Sequence, residues 1–110
     1  AAARAAAANR VAVDWRLLWR IAPRPFDPTL IGLCEDAVRD ETGVAPTLPS
    51  GPVHDATMMA ALMPAVMMFA AAPNGLSHCR EEDTPEPILE QAIRAYLRLV
   101  GKTIQHVAMG

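Results

Sequence analysis

Cysteine is scarce. Cys34 and Cys79 are the only two, so at most one disulfide can form, and neither stands in the CxxC spacing of a redox or structural zinc motif. The pattern is that of a protein from a reducing compartment, and the cytoplasm is the expected location. An excess of one charge is also missing. Ten basic and twelve acidic residues leave a net charge of −2, spread along the chain, which excludes the basic footprint of a nucleic-acid binder. Long apolar runs are absent too: a membrane helix needs ~18 unbroken apolar residues, and the stretch from Ala60 to Ala72 is shorter and broken by Pro64. Neither nucleic acid nor a membrane is an expected partner. The opening "AAARAAAANR" has no Leu- or Val-rich hydrophobic segment and does not read as a signal peptide. With Ala1 rather than Met in first place, the chain reads as a piece of a longer protein.

What is present is apolar. A hydrophobic content of 52% is that of a globular protein and argues against disorder. The length of 110 residues is one domain's worth at most, single domains running to about 100–150 residues.

Local chemistry divides the chain. "AAARAAAA" has very high helix propensity and predicts a short helix, an unanchored terminus being the alternative. Val11, Val13, Trp15, Leu17, Trp19 and Ile21 are apolar at alternate positions, with Asp14, Arg16 and Arg20 between them; this period of two predicts a strand buried on one side. Three prolines in "APRPFDP" then interrupt any helix or central strand. Asp27 followed by Pro28 predicts a helix start, and Gly43 its end. "VAPTLPSGPV" reads as an extended piece and a turn, "HDATMMAALM" as a helix stopped by Pro64, and "AVMMFAA" as a buried strand. A last helix is expected with Thr84 as cap, Pro85 at its first position, and an apolar stripe of Ile88, Leu89, Ala92, Ile93, Tyr96, Leu97, Val100 and Ile104. The alternation predicts an α/β fold, yet two short strands do not make a covered sheet, so the core is expected to be incomplete.

Polar chemistry gathers in two places. "SGPVHDA" places Ser50, Gly51, His54 and Asp55 where a turn enters a helix; Asp55 there is equally well explained as a capping carboxylate. "NGLSHCREED" places His78 in a loop after a strand, the usual site region of open α/β sheets, although a lone loop histidine is also an ordinary surface residue. The acidic run Glu81 to Asp83 is most simply a solvated charge before a helix. His78 and Cys79 are adjacent and lack an orienting third group, which argues against a Cys–His dyad. Three scattered histidines and two cysteines do not complete a metal site within the chain.

The order of these blocks resembles a family. "LPSGPVHDATMMA", "MPAVMMFAAAPNGLSHCREED" and the long last helix resemble the C-terminal signature of zinc-dependent amidohydrolases. These include N-carbamoyl-L-amino acid hydrolase, allantoate amidohydrolase and beta-ureidopropionase, relatives of the aminoacylase and carboxypeptidase-G-type metallopeptidases. The matching residues are Ser50, Gly51, His54, Asp55 and Ala56, then Pro64, Met67 and Phe69, then Gly75, Leu76, Ser77, His78 and Glu82. The resemblance implies that residues 1–21 are the last helix and strand of a lid and dimerisation domain, residues 22–27 a Pro-rich hinge, and residues 28–110 the C-terminal segment of a catalytic domain with helices packed on a short sheet. It implies a metal ligand at His78 and a substrate-side role for Gly51, His54 and Asp55, with no catalytic residue in this chain. It also implies a divalent metal in the parent enzyme, zinc first and manganese or cobalt as alternatives, not held stably by this chain alone. A small ureido or amide substrate and a homo-oligomer complete the expectation.

Two departures bear on these roles. Pro52 and Val53 replace the family's Ala-Gly, so Val53 is expected to be strained if that position requires a positive φ. Cys79 and Arg80 replace Ser-Pro, and Arg80 would oppose a metal unless it points away. Two other readings remain: a non-catalytic self-associating module derived from such an enzyme, and an unrelated apolar-ligand domain built on Met58, Met59, Met63, Met67 and Met68, residues also explained as ordinary core filler.

Overall fold

A computed structural model describes all residues, 1–110. Four α-helices form, α1 (Ala2–Asn9), α2 (Pro28–Thr42), α3 (Asp55–Met59) and α4 (Glu86–Met109), with a 3₁₀ turn at Pro73–Gly75.

Helix α2 follows its sequence signals closely. The Asp27 carboxylate accepts from the Leu30 N–H at 2.9 Å, Pro28 fills the first turn, and Gly43 ends the helix with φ 78, donating its N–H to Arg39 O. That left-handed angle is one a β-carbon disfavours, which is why glycine serves here. Helix α4 starts one residue later than expected: Pro85 is its N-cap, and no side chain caps it.

Helices α2 and α4 pack on each other, and no other pair of elements does. Cys34 and Ala37 of α2 meet Leu99 of α4, Ala95 is buried one turn before it, and these four are the only buried residues. Leu33, Val38, Val66 and Met68 pack against the edge of this core. Small residues at Ala37 and Ala95 let the helices approach. Above them Glu41 accepts from Arg94 Nε at 3.1 Å and from Arg98 Nε, while Gln91 Nε2 donates to Glu41 O at 2.9 Å. Lys102 pairs with Asp40 at 3.2 Å.

The α4 stripe read from sequence is the buried face only in part. Ile88 and Ala92 are half-buried, but the buried Ala95 and Leu99 lie outside the stripe, and Leu89, Ile93, Tyr96, Leu97, Val100 and Ile104 are exposed. The helix therefore carries two apolar surfaces, one on α2 and one open.

Residues 11–21 are exposed throughout and form no regular element; residues 12–26 make no backbone–backbone hydrogen bond. The same holds for residues 66–71. A ladder needs a neighbour, and neither segment has one within the chain. One tether holds the second segment, the Asp27 N–H donating to Ala65 O at 3.0 Å. Helix α3 stops at Met59, short of the expected Met63, and residues 61–63 close as turns onto Met58 and Met59. Proline at 64 disfavours a helical residue before it, which shortens the helix from its C-terminal side. Helix α1 buries nothing. The chain is accordingly extended, with a radius of gyration of 19.1 Å, against about 13 Å for a compact domain of this length. No helix is long and apolar enough to cross a membrane.

Candidate functional site

A cleft of about 670 Å³ opens between α2 and the two loops that carry the polar motifs. Its floor is apolar, with Ile31, Cys34 and Val38 of α2 and Phe69 of the unpaired segment. Burial, and secondarily the charge of Glu35, raises the Cys34 thiol above its ordinary value, so this sulfur stays protonated and is no nucleophile.

The rim carries the histidines. His54 is the N-cap of α3 but makes no side-chain cap bond, which leaves its ring available to the cleft. The ring stands edge-on to Phe69, with centroids 6.3 Å apart, and edge-on to His78, with centroids 6.1 Å apart and planes at 76°. Two motifs distant in the chain are thus brought together.

His78 reaches this position through an unusual backbone. Its φ is 58, in the left-handed region, and its N–H donates to Glu82 Oε2 at 2.6 Å. The Pro73–Gly75 turn precedes it, with Asn74 at φ 59 and Gly75 at φ 64; the positive angle at Gly75 is one glycine adopts freely. On the other side Ser50 Oγ donates to Pro52 O at 2.9 Å, closing the turn that presents Gly51.

Of the residues singled out from sequence, Gly51, His54 and His78 line the cleft, and Asp55 does not. Asp55 is exposed in the first turn of α3, where a carboxylate complements the helix dipole. Glu82, which the sequence assigned to a solvated acidic run, lines the cleft and binds the His78 backbone. The signal for it was its place in the family-like block, where Glu82 completes the match that begins at Gly75 and includes Ser77 and His78. Val53 has no positive φ, so the strain expected there does not arise. Arg80 is exposed and does not line the cleft, and Cys79 is exposed and free.

No group of three or more His, Cys, Asp or Glu side chains is assembled anywhere in the chain. Zinc sites take four ligands, three of them from protein where a position is left open. The imidazole of His78 has the right donor chemistry for one place in such a shell, and the chain by itself does not supply the rest.

Searches of the curated proteins and of the solved structures returned no match. Comparison with family models matched residues 5–102 to peptidase family M20/M25/M40. That span takes in both histidine motifs, the cleft and the α2–α4 pair, and on it the chain belongs to peptidase family M20/M25/M40.

Proposed function

We propose that this chain is the C-terminal segment of a metal-dependent hydrolase that opens a non-peptide C–N bond in linear amides or ureido compounds, such as N-carbamoyl amino acids or allantoate. One observation supports this most: His54 and His78, from separate motifs, stand 6.1 Å apart at the rim of one cleft. Family membership supplies the hydrolase class. In this reading His78 is one ligand of a divalent metal, zinc, manganese or cobalt, all of which accept imidazole. When bound, such an ion polarises a carbonyl and lowers the pKa of a water. Gly51 and His54 face the substrate, and Asp55 complements the dipole in the first turn of α3. The remaining ligands and the general base belong to sequence outside these residues.

The same reading makes residues 1–21 the tail of a lid and dimerisation domain, residues 22–27 a hinge, and residues 28–110 part of an α/β catalytic domain. The unpaired 66–71 segment then joins its sheet. The test is made in the full gene product. There, His78→Ala is expected to abolish metal-stimulated ammonia release from N-carbamoyl amino acids, while the 110-residue chain alone turns over nothing. Undiminished turnover in the variant would refute the ligand role.

A second reading is a self-associating module without activity. Trp15 and Trp19 are 70% and 66% exposed on a segment with no partner. An antiparallel pairing of two copies centred on Leu17 would set Trp15 opposite Trp19 and Asp14 opposite Arg20. Both are favourable cross-strand pairs.

A further inference from the structure

Residues 76–83 form neither helix nor strand, yet His78 holds a left-handed backbone angle. A β-carbon disfavours that region, so an L residue stays there when its surroundings hold it. Two hydrogen bonds do so. The His78 N–H donates to the Glu82 carboxylate at 2.6 Å, and the Glu82 N–H donates to Cys79 O at 3.1 Å. Together they close residues 78–82: a turn bond brings Glu82 back over Cys79, and its side chain then takes the His78 N–H, as the glutamate of a capping box takes the N-cap N–H. The ionised acceptor makes the first bond charge-assisted.

The neighbouring acids do different things. Asp83 Oδ1 accepts from the Thr84 N–H at 2.9 Å, whereas Glu81 makes no side-chain hydrogen bond. The acidic run is therefore not a uniform solvated charge, and Glu82 alone reaches back to the histidine. The other two non-glycine residues at positive φ have separate reasons. Arg10 caps α1, and Asn74 is of a type that tolerates the left-handed region.

We infer that Glu82 is a positioning residue: its carboxylate fixes the backbone of His78 in the left-handed region and so sets the His78 imidazole beside His54. What His78 is positioned to do rests on the function proposed above; the positioning itself is a property of this loop.

The experiment is nuclear magnetic resonance on the full chain with E82A and E82Q. Three signals are read: hydrogen exchange at the His78 amide, its intraresidue amide–Hα cross-peak (strong at positive φ), and the cross-relaxation between the two imidazoles. E82A is expected to speed exchange roughly three- to tenfold, the net worth of one ordinary hydrogen bond, the acceptor's charge being screened at this exposed site, and to weaken the other two signals. E82Q keeps a carbonyl acceptor and restores most of each. The thermal midpoint of the α2–α4 pair stays unchanged, since neither His78 nor Glu82 belongs to the core. Unaltered signals in E82A would overturn the inference, and so would a lowered midpoint, which would make Glu82 a structural residue. Altered signals combined with undiminished turnover of His78→Ala in the full gene product would keep the positioning role and refute the metal-ligand reading.

Discussion

Leu99→Ala is the perturbation that most directly measures what holds this chain together. Leu99 is 6% exposed and is the only large aliphatic side chain among the four buried residues. Full burial of a leucine contributes ~1.5–3 kcal/mol, and buried Leu→Ala changes cost about 2–5 kcal/mol once the cavity is included. Here the core cluster is small and borders an open cleft, so the void can relax or fill with water. The lower part of that range applies, roughly 2–3 kcal/mol. With three other buried residues, none larger than cysteine, that is a major share of the α2–α4 contact. The control is Leu97→Ala on the same helix, where the side chain is 64% exposed and the expected change is within about 0.5 kcal/mol. Urea unfolding followed by far-ultraviolet circular dichroism, at protein concentrations low enough to exclude association, gives both values. Equal costs at the two sites, or a larger cost at Leu97, would refute the assignment of the buried face.

Glu41 gives the helix pair a pH dependence. Hydrogen bonds from Arg98 first and Arg94 second hold its carboxyl below the ordinary value of 4.5. A depressed folded-state pKa means the contribution is complete above the unfolded value and is lost as pH falls through the lowered one. The unfolding midpoint should therefore drop on acidification below pH 4.5; Glu41→Gln should flatten that limb, and an unchanged limb would count against the pairing. Self-association through residues 11–21 is expected to raise the sedimentation coefficient with concentration. Leu17→Pro, which removes a donor from the paired segment, should abolish the rise; a wild-type chain that stays monomeric at high concentration would sink the second reading.

How much of this was legible in the sequence follows the range of the forces involved. The limits of α2 could be read because Asp27, Pro28 and Gly43 act on their own neighbours. The packed face of α4 could not. Periodicity gives weight to large residues, so it selected Ile93, Leu97 and Ile104, while α2 approaches where Ala37 and Ala95 are small. A strand is defined by its partner, and alternation in residues 11–21 says which side would be buried but not by what. At the site, the ordered motifs brought out His54 and His78, yet their meeting is a tertiary fact. The motif match marked Glu82 as a position but not its role, because it acts on a backbone angle that no residue pattern announces. Its acidic neighbours made it look like one of three equivalent charges.

The weak points of the structure and its candidate chemistry coincide. The segments that carry the site hang on the helix pair by few tethers: the Asp27 N–H to Ala65 O, the Thr47 hydroxyl donating to Glu35 Oε1 at 2.6 Å, and the packing of Val66 and Met68. The local geometry at His78 is set by bonds within its own loop, so it does not depend on that thin core. Completing a metal shell is another matter, because it requires further donors at the cleft rim and therefore a covering segment on the cleft side. Pairing of residues 11–21 between two copies covers a different surface and leaves the cleft open. The two readings thus place the missing apolar contacts on different parts of the molecule. Only the first of them gives the strained histidine, its carboxylate clamp and its neighbour His54 a common purpose.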